Sequence, residues 1–383
     1  MGQLVVAYVI AGVALVLAVL ALSLAGTITR RVGTRDPIAV PPLWRRFLGI
    51  KALPMPDLGD FAPTARGVER IAFIANPTKP GIAEAREMAL RACSIRYLPQ
   101  PMWLFTTRED PGTSAARQAL DAGADVVVAM GGDGTVRAVA AELAGTDTPL
   151  AIIPMGTGNL FARNLDLPLG DIPALLRIAL EGDDVPVDVG RLTLDRGPRG
   201  GDDEHLFLVM AGVGMDAEMV AGADERLKRR FGWVAYFFAA IKHMGEKRMR
   251  ATVQVGDSSA VHGQMRSVLF ANVGRLPGGL TLVPDASAID GTLDVVTLDA
   301  RAGIVGWTEL FGNVVAQGAG LRQPSVLKAY GASRIDHARG QRISVELDHL
   351  RPIQADGEPL GLARAVTATV DPGSLIVRGG PTR

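Results

Sequence analysis

The stretch Asp125-Val126-Val127-Val128-Ala129-Met130-Gly131-Gly132-Asp133-Gly134-Thr135 runs from an apolar strand straight into three glycines and then into helical sequence. A loop of that composition lets something approach its backbone closely, because no Cβ stands in the way. Phosphate is the usual guest. Gly131, Gly132 and Gly134 can turn their N–H groups into an anion nest, and Thr135 can cap the helix whose positive end faces the same spot. Asp133 is the odd member: a carboxylate repels phosphate directly, so its expected task is to bind an accompanying cation or to accept a proton.

The same alternation recurs on both sides of this loop. Ile71 to Ala75 reads as a strand, Ile82 to Cys93 as a helix with Ile82, Ala85, Ala89 and Ala92 on one face, and Met102 to Phe105 as a strand. A helix capped by Thr113 or Ser114 and reaching Ala122 precedes the glycine loop, while a helix over Val136 to Ala144 and a strand over Leu150 to Ile153 follow it. This alternation implies a parallel, doubly wound sheet whose ligand crevice lies beyond the C-terminal strand ends. Three loops leave such ends: Asn76 to Gly81, Gly131 to Thr135, and Pro154 to Asn159.

From about Val187 the apolar period shortens to two. Strands are expected over Val187–Leu194, His205–Met210, Ala251–Val255, Ser267–Ala271, Leu293–Leu298 and Ile343–Leu347, with helical interruptions at Ala217 to about Gly245 and Ile304 to Ala316. Asp195 to Glu204, full of glycine and charge, reads as an exposed hairpin loop. The organisation expected is an α/β domain over 67–186, completed by 365–383, and a β-rich antiparallel domain over 187–364.

At 383 residues and 48% hydrophobic composition, the chain can bury a core in each domain. Basic and acidic residues number 40 each, so no overall basic field exists and nucleic acid is excluded as an expected partner. Cys93 is the single cysteine, which excludes an intrachain disulfide. The histidines have no ligand spacing, so no zinc site is expected. Leu4 to Ala25 is free of charge, and at ~1.5 Å per residue a helix of that length matches a ~30 Å hydrocarbon core. Arg30, Arg31 and Arg35 follow at once, which predicts a single-pass N-terminal membrane anchor over 1–26 with the C-terminal bulk in the cytoplasm. A cleaved signal peptide is the competing reading of that segment. Residues 27–66, rich in proline, read as a linker.

Together, Gly131 to Thr135, Pro154-Met155-Gly156-Thr157-Gly158-Asn159 and Gln354-Ala355-Asp356-Gly357-Glu358 resemble the diacylglycerol kinase catalytic family, which includes sphingosine and ceramide kinases and many bacterial lipid kinases. Asn76-Pro77, Phe161-Ala162-Arg163, Gly212 to Ala217 and Pro284 to Leu293 support the resemblance, which runs from about Val68 to the C-terminus. Lys79 departs from it, since a small hydroxyl residue more often follows the Asn-Pro turn.

The resemblance implies a NAD kinase/diacylglycerol kinase-like two-domain fold, α/β plus an antiparallel β-sandwich, with the active site between them. It implies ATP and Mg²⁺ as cofactors, with Asn76, Thr78, Gly131, Gly132, Asp133, Gly134, Thr135, Gly156, Thr157 and Asn159 around the nucleotide. Glu358 is implied as general base, with Asp133, Asp356 and Asp216 as an acidic network around the metal, while Asp290 is a candidate ligand for a structural Mg²⁺. Asp356-Gly357 reads equally as a hairpin turn, and Asp290 equally as an ordinary loop residue. The implied reaction passes the γ-phosphate of ATP to the hydroxyl of a membrane lipid. Diacylglycerol is the first expectation, with sphingoid bases, ceramide or a glycolipid as alternatives. A kinase for soluble acceptors and a non-catalytic lipid-binding protein are the readings from other classes. The apolar N-terminal segment argues against the former and the acidic set against the latter. The oligomeric state stays open, a homodimer included.

Overall fold

The structure, a computed structural model, describes residues 69–197, 202–214, 249–275, 281–300 and 333–379. Four strands, β1 (Ile71–Ala75), β2 (Met102–Phe105), β3 (Val126–Gly131) and β4 (Leu150–Pro154), lie parallel in the order β4-β3-β1-β2. Every residue of β1, β3 and β4 is buried, as continuous apolar runs require when helices cover both faces. The chain leaves β1 for β2 on one side and returns to β3 on the other, so the strand order reverses beside β1.

Between and after these strands come α1 (Ile82–Ile95), α2 (Thr113–Asp121), α3 (Asp133–Leu143), the short α4 (Leu160–Asn164) and α5 (Ile172–Glu181). Helix α1 packs with α5, and α2 with α3. The buried stripe Ile82, Ala85, Ala89 and Ala92 seats α1 on the sheet. Neither Thr113 nor Ser114 caps α2. Asp110 does, accepting from the amides of Gly112 (2.9 Å) and Ser114 (3.0 Å).

The remaining strands are β5 (Asp184–Asp195), β6 (Asp202–Phe207), β7 (Met210–Gly214), β8 (Met249–Val255), β9 (Val261–Met265), β10 (Ser267–Ala271), β11 (Leu293–Ala300), β12 (Ser333–Gly340), β13 (Arg342–Ala355) and β14 (Glu358–Arg378). They pair antiparallel with one another. Leu192, Phe207, Val268, Phe270, Val345 and Val366 belong to the core that they enclose. The single strand expected over His205–Met210 is in fact two, broken at Leu208 and Val209, and the reason lies in the site described below.

β13 and β14 are long because each serves several partners. β13 gives its first half to β8 and its end to β7, while β14 pairs with β13 and β5 and then, at Val377, runs parallel to Leu150 of β4. Register shifts in β13 allow the changes of partner. The parallel and antiparallel parts therefore form one mixed sheet, β12-β11-β10-β7-β13-β14-β4-β3-β1-β2, with β5, β6, β8 and β9 branching from it.

The expectation of a single-pass membrane location is also corrected. Among the described residues no helix is long and apolar enough to cross a membrane, and residues 4–25, on which the expectation rested, lie outside the described residues, so no spanning segment is assigned. The helices expected at 217–245 and 304–316 lie outside them as well.

Candidate active site

β3 delivers Gly131 to the C-terminal edge of the parallel strands, and α3 starts at Asp133 with Gly132 as its N-cap. None of Gly131, Gly132 and Gly134 has a positive φ, and Gly132 is extended at φ −92°, ψ −172°. The loop thus uses no left-handed backbone at these positions, and space is what the glycines supply. A Cβ on Gly131 would lie 2.5 Å from Thr135 Oγ1. Thr135 does not cap the helix either: it sits within the first turn of α3, 4% exposed, and no side chain caps this N-terminus. The positive end of α3 thus opens on the crevice.

The neighbouring loops close on this point from both sides. The Asn76 amide donates to Met130 O (3.0 Å), and Asn76 Oδ1 accepts from the Thr78 amide (3.0 Å) and hydroxyl (2.7 Å). This turn carries Lys79 inward, its Nζ 3.9 Å from where a Cβ of Gly132 would stand. From β4, the Met155 amide donates to Gly131 O (2.7 Å), and Gly156 passes so near that a Cβ on it would be 2.7 Å from Gly132 Cα. Asn159, left-handed at φ 48° and buried, shapes that loop: its Oδ1 accepts from the Gly156 amide (2.9 Å) and its Nδ2 donates to Gly156 O (2.8 Å). Thr157 is exposed at the tip.

Asp133 faces this loop. Its Oδ2 accepts from the Asn159 amide (2.8 Å) and its Oδ1 from the Leu160 amide (2.5 Å), so it caps α4. Burial pushes its carboxyl up, against the opposing pull of those amides and of the Arg163 guanidinium. Arg163 is held beside it by donating Nε to Gly158 O (2.8 Å).

The second wall comes from the other end of the sequence. Ala355 pairs with Glu358 at the β13–β14 hairpin, leaving Asp356 (φ 48°) and Gly357 (φ 81°) as a type I′ turn. The Asp356 carboxylate turns into the protein and accepts from the amides of Leu208 (2.8 Å), Val209 (2.9 Å) and Met210 (3.1 Å), which is what breaks β6 from β7. Burial pushes its carboxyl up, opposed by the Leu208 amide and the nearby Arg137 guanidinium. Two residues on, Glu358 lies half exposed across the start of α3, with Oε1 3.1 Å from the Cβ position of Gly134. Its carboxylate pairs with Arg137, a residue that sequence reasoning missed. The available signal was its spacing, three residues after Gly134 and therefore on the same helix face.

Asn76, Thr78, Gly131 to Thr135, Gly156 to Asn159, Asp356 and Glu358 thus come together. Asp290 does not join them: its Oδ1 accepts from the Thr292 amide (3.0 Å) and hydroxyl (2.9 Å) in a local turn. The neighbouring Asp294, 1% exposed, receives His337 Nε2 and Arg339 Nε (2.8 Å), and Arg339 also donates to Asp285 O. A guanidinium supplies the positive charge among these aspartates, and among the described residues no group of three or more metal-ligating side chains occurs. Asp216 lies outside the described residues.

Residues 70–192 match the diacylglycerol kinase catalytic domain, and residues 209–379 match the YegS C-terminal NAD kinase beta sandwich-like domain. A protein of Pseudomonas fluorescens named "Probable lipid kinase YegS-like" is 33% identical over 263 residues, covering 68% of this chain and 79% of the relative. The chain belongs to the YegS-like lipid kinases. A YegS-like relative from Pseudomonas aeruginosa strain PAO1 is 31% identical over 262 residues, covering 68% of this chain and 78% of its own length. The crystal structure of a diacylglycerol kinase from Bacillus anthracis shares the fold, with a TM-score of 0.62 at 22% identity, covering 82% of this chain and 98% of that one. A YegS-like kinase uses ATP and a lipid acceptor, and both walls of the cleft lie within the matched regions.

Proposed function

We propose that this kinase transfers the γ-phosphate of ATP to the hydroxyl of diacylglycerol, giving phosphatidic acid. The observation that carries the reading is Glu358, a half-exposed carboxylate brought by β14 to within 3.1 Å of the Gly134 Cβ position at the open end of α3. The match of residues 70–192 to the diacylglycerol kinase catalytic domain favours that acceptor. In this reading 67–186 with 365–383 form the nucleotide side and 187–364 the lipid side.

The phosphates lie against the Gly131–Gly134 backbone and the N-terminus of α3, with Lys79 approaching from the β1 side. Glu358 takes the proton of the lipid hydroxyl as that oxygen bonds to the γ-phosphorus, and the bond from phosphorus to the bridging oxygen breaks to release ADP. Mg²⁺ fits as the partner of the arriving nucleotide rather than as a resident ion, because the Asp133 and Asp356 carboxylates are already engaged by backbone amides. When bound it screens phosphate charge. The contribution of Asp133 is to hold the Asn159 loop against the glycine loop.

Labelled ATP offered with diacylglycerol, a sphingoid base, ceramide and a glycolipid in mixed micelles tests the acceptor. Phosphatidic acid is the expected labelled product, and label in another lipid overturns the assignment. Glu358→Gln is expected to lower turnover by about 10²–10⁴-fold and Asp133→Asn by about 10²-fold through the displaced Asn159 loop, and near wild-type turnover in either overturns its role.

A further inference from the structure

We propose that Arg137 is a positioning residue for this reaction, its guanidinium setting the Glu358 carboxylate over Gly134 and keeping it ionised. The inference rests on the reading of Glu358 as the base. Arg137 lies three residues after Gly134 and four after Asp133 on α3, so it rises from the same helix face as the glycine loop. Its side chain is 15% exposed, and burial pushes its pKa down, opposed by Asp356. A guanidinium so placed requires counter-charge. Two carboxylates supply it, Asp356 within the β13–β14 hairpin turn and Glu358 just after it.

The dependence runs the other way as well. The Glu358 side chain is 49% exposed and has several rotatable bonds, so on its own it would sample many positions. A planar guanidinium on a fixed helix selects one of them. Among the described residues Arg137 on α3 pairs with Glu358 and also faces Asp356 of the same hairpin, Lys79 reaches the Gly132 side of the same loop, and Asp133 at the start of α3 has Arg163 of α4 beside it. From the β5 end, Arg196 donates to Leu360 O (2.7 Å) and pairs with Asp203. With Arg137 removed, Glu358 loses the one cation with which it pairs among the described residues. Protonation is then favoured, so the base is lost at a higher pH than before.

The test is the pH dependence of kcat for the full chain, with diacylglycerol micelles, in wild type, Arg137→Met, Arg137→Lys and Glu358→Gln. Arg137→Met is expected to lose about ten-fold or more in kcat, to shift the acid limb upward by about one pH unit, and to leave the KM for ATP near wild type. Arg137→Lys, which keeps the charge and covers the case in which the methionine variant fails to fold, is expected to keep the acid limb and lose several-fold in kcat. A folded Arg137→Met with the wild-type acid limb overturns the proposal, as does wild-type kcat in Arg137→Lys or a loss confined to the KM for ATP. If Glu358→Gln loses turnover while Arg137→Met does not, Arg137 alone is misassigned. If Glu358→Gln retains turnover, the base reading falls and the role of Arg137 falls with it.

Discussion

The two walls of the cleft are built by contrasting means. On the α/β wall, Asp133 takes its amide partners from residues 26 and 27 positions away, within one β-α-β step. On the β wall, Asp356 takes its partners from residues 146 to 148 positions away and ties the hairpin to the turn between β6 and β7. Both carboxylates are spent on architecture. In the proposed reaction the chemistry falls to Glu358, two residues from Asp356 yet half exposed. Adjacent acids thus divide the work, the buried one fixing where the exposed one stands.

The largest expected effect breaks the distant wall. Asp356→Ala removes the acceptor of three amides and one counter-charge of the buried Arg137, a loss of about 3–5 kcal/mol of folding stability by urea denaturation. A loss below about 1 kcal/mol would mean that the hairpin is held by its strand pairing and not by this carboxylate. Gly158→Ala strikes the near wall more gently. The added Cβ would stand 2.7 Å from Asp133 Oδ2, forcing the carboxylate or the loop to give way, at about 1–3 kcal/mol. Turnover should fall further than this stability loss explains, because the Asn159 loop moves with Asp133. Wild-type turnover with the stability loss alone would separate the loop from the reaction.

How far the sequence could be read follows the same divide. Ile71–Ala75 and Met102–Phe105 coincide with the observed strands, because local apolar runs between glycine and proline loops leave little choice of partner. The break at Leu208 and Val209 was not legible: its cause, Asp356, is a long way off in sequence, and His205–Met210 has the pattern of one continuous strand. β14 escaped notice for a related reason. Glycines and two prolines interrupt its period, and the pairings with β13, β5 and β4 that make it a strand are all tertiary. In the site, the converging glycine loops were visible by composition, but their mode of action was not. Close approach replaces left-handed geometry at Gly131 to Gly134, and only backbone angles tell these apart. The spacing of Arg137 put it on the right helix face but not its pairing, because its partner comes from the far wall.

Lys79 offers the mildest change and the sharpest separation of binding from architecture. Where Asp133, Asp356 and Glu358 each have side-chain partners, the Lys79 ammonium makes no hydrogen bond or ion pair among the described residues, although it reaches over Gly132. A half-buried cation facing a glycine loop and the open end of a helix stabilises an anion that arrives there, and it contributes little to the fold before that. Lys79→Gln should therefore leave the urea midpoint within about 0.5 kcal/mol of wild type. It should raise the KM for ATP by about ten-fold, as the loss of one charge-assisted contact implies. An unchanged KM for ATP would move the phosphates away from the β1 side of the crevice and leave α3 and the Gly131 loop to hold them alone.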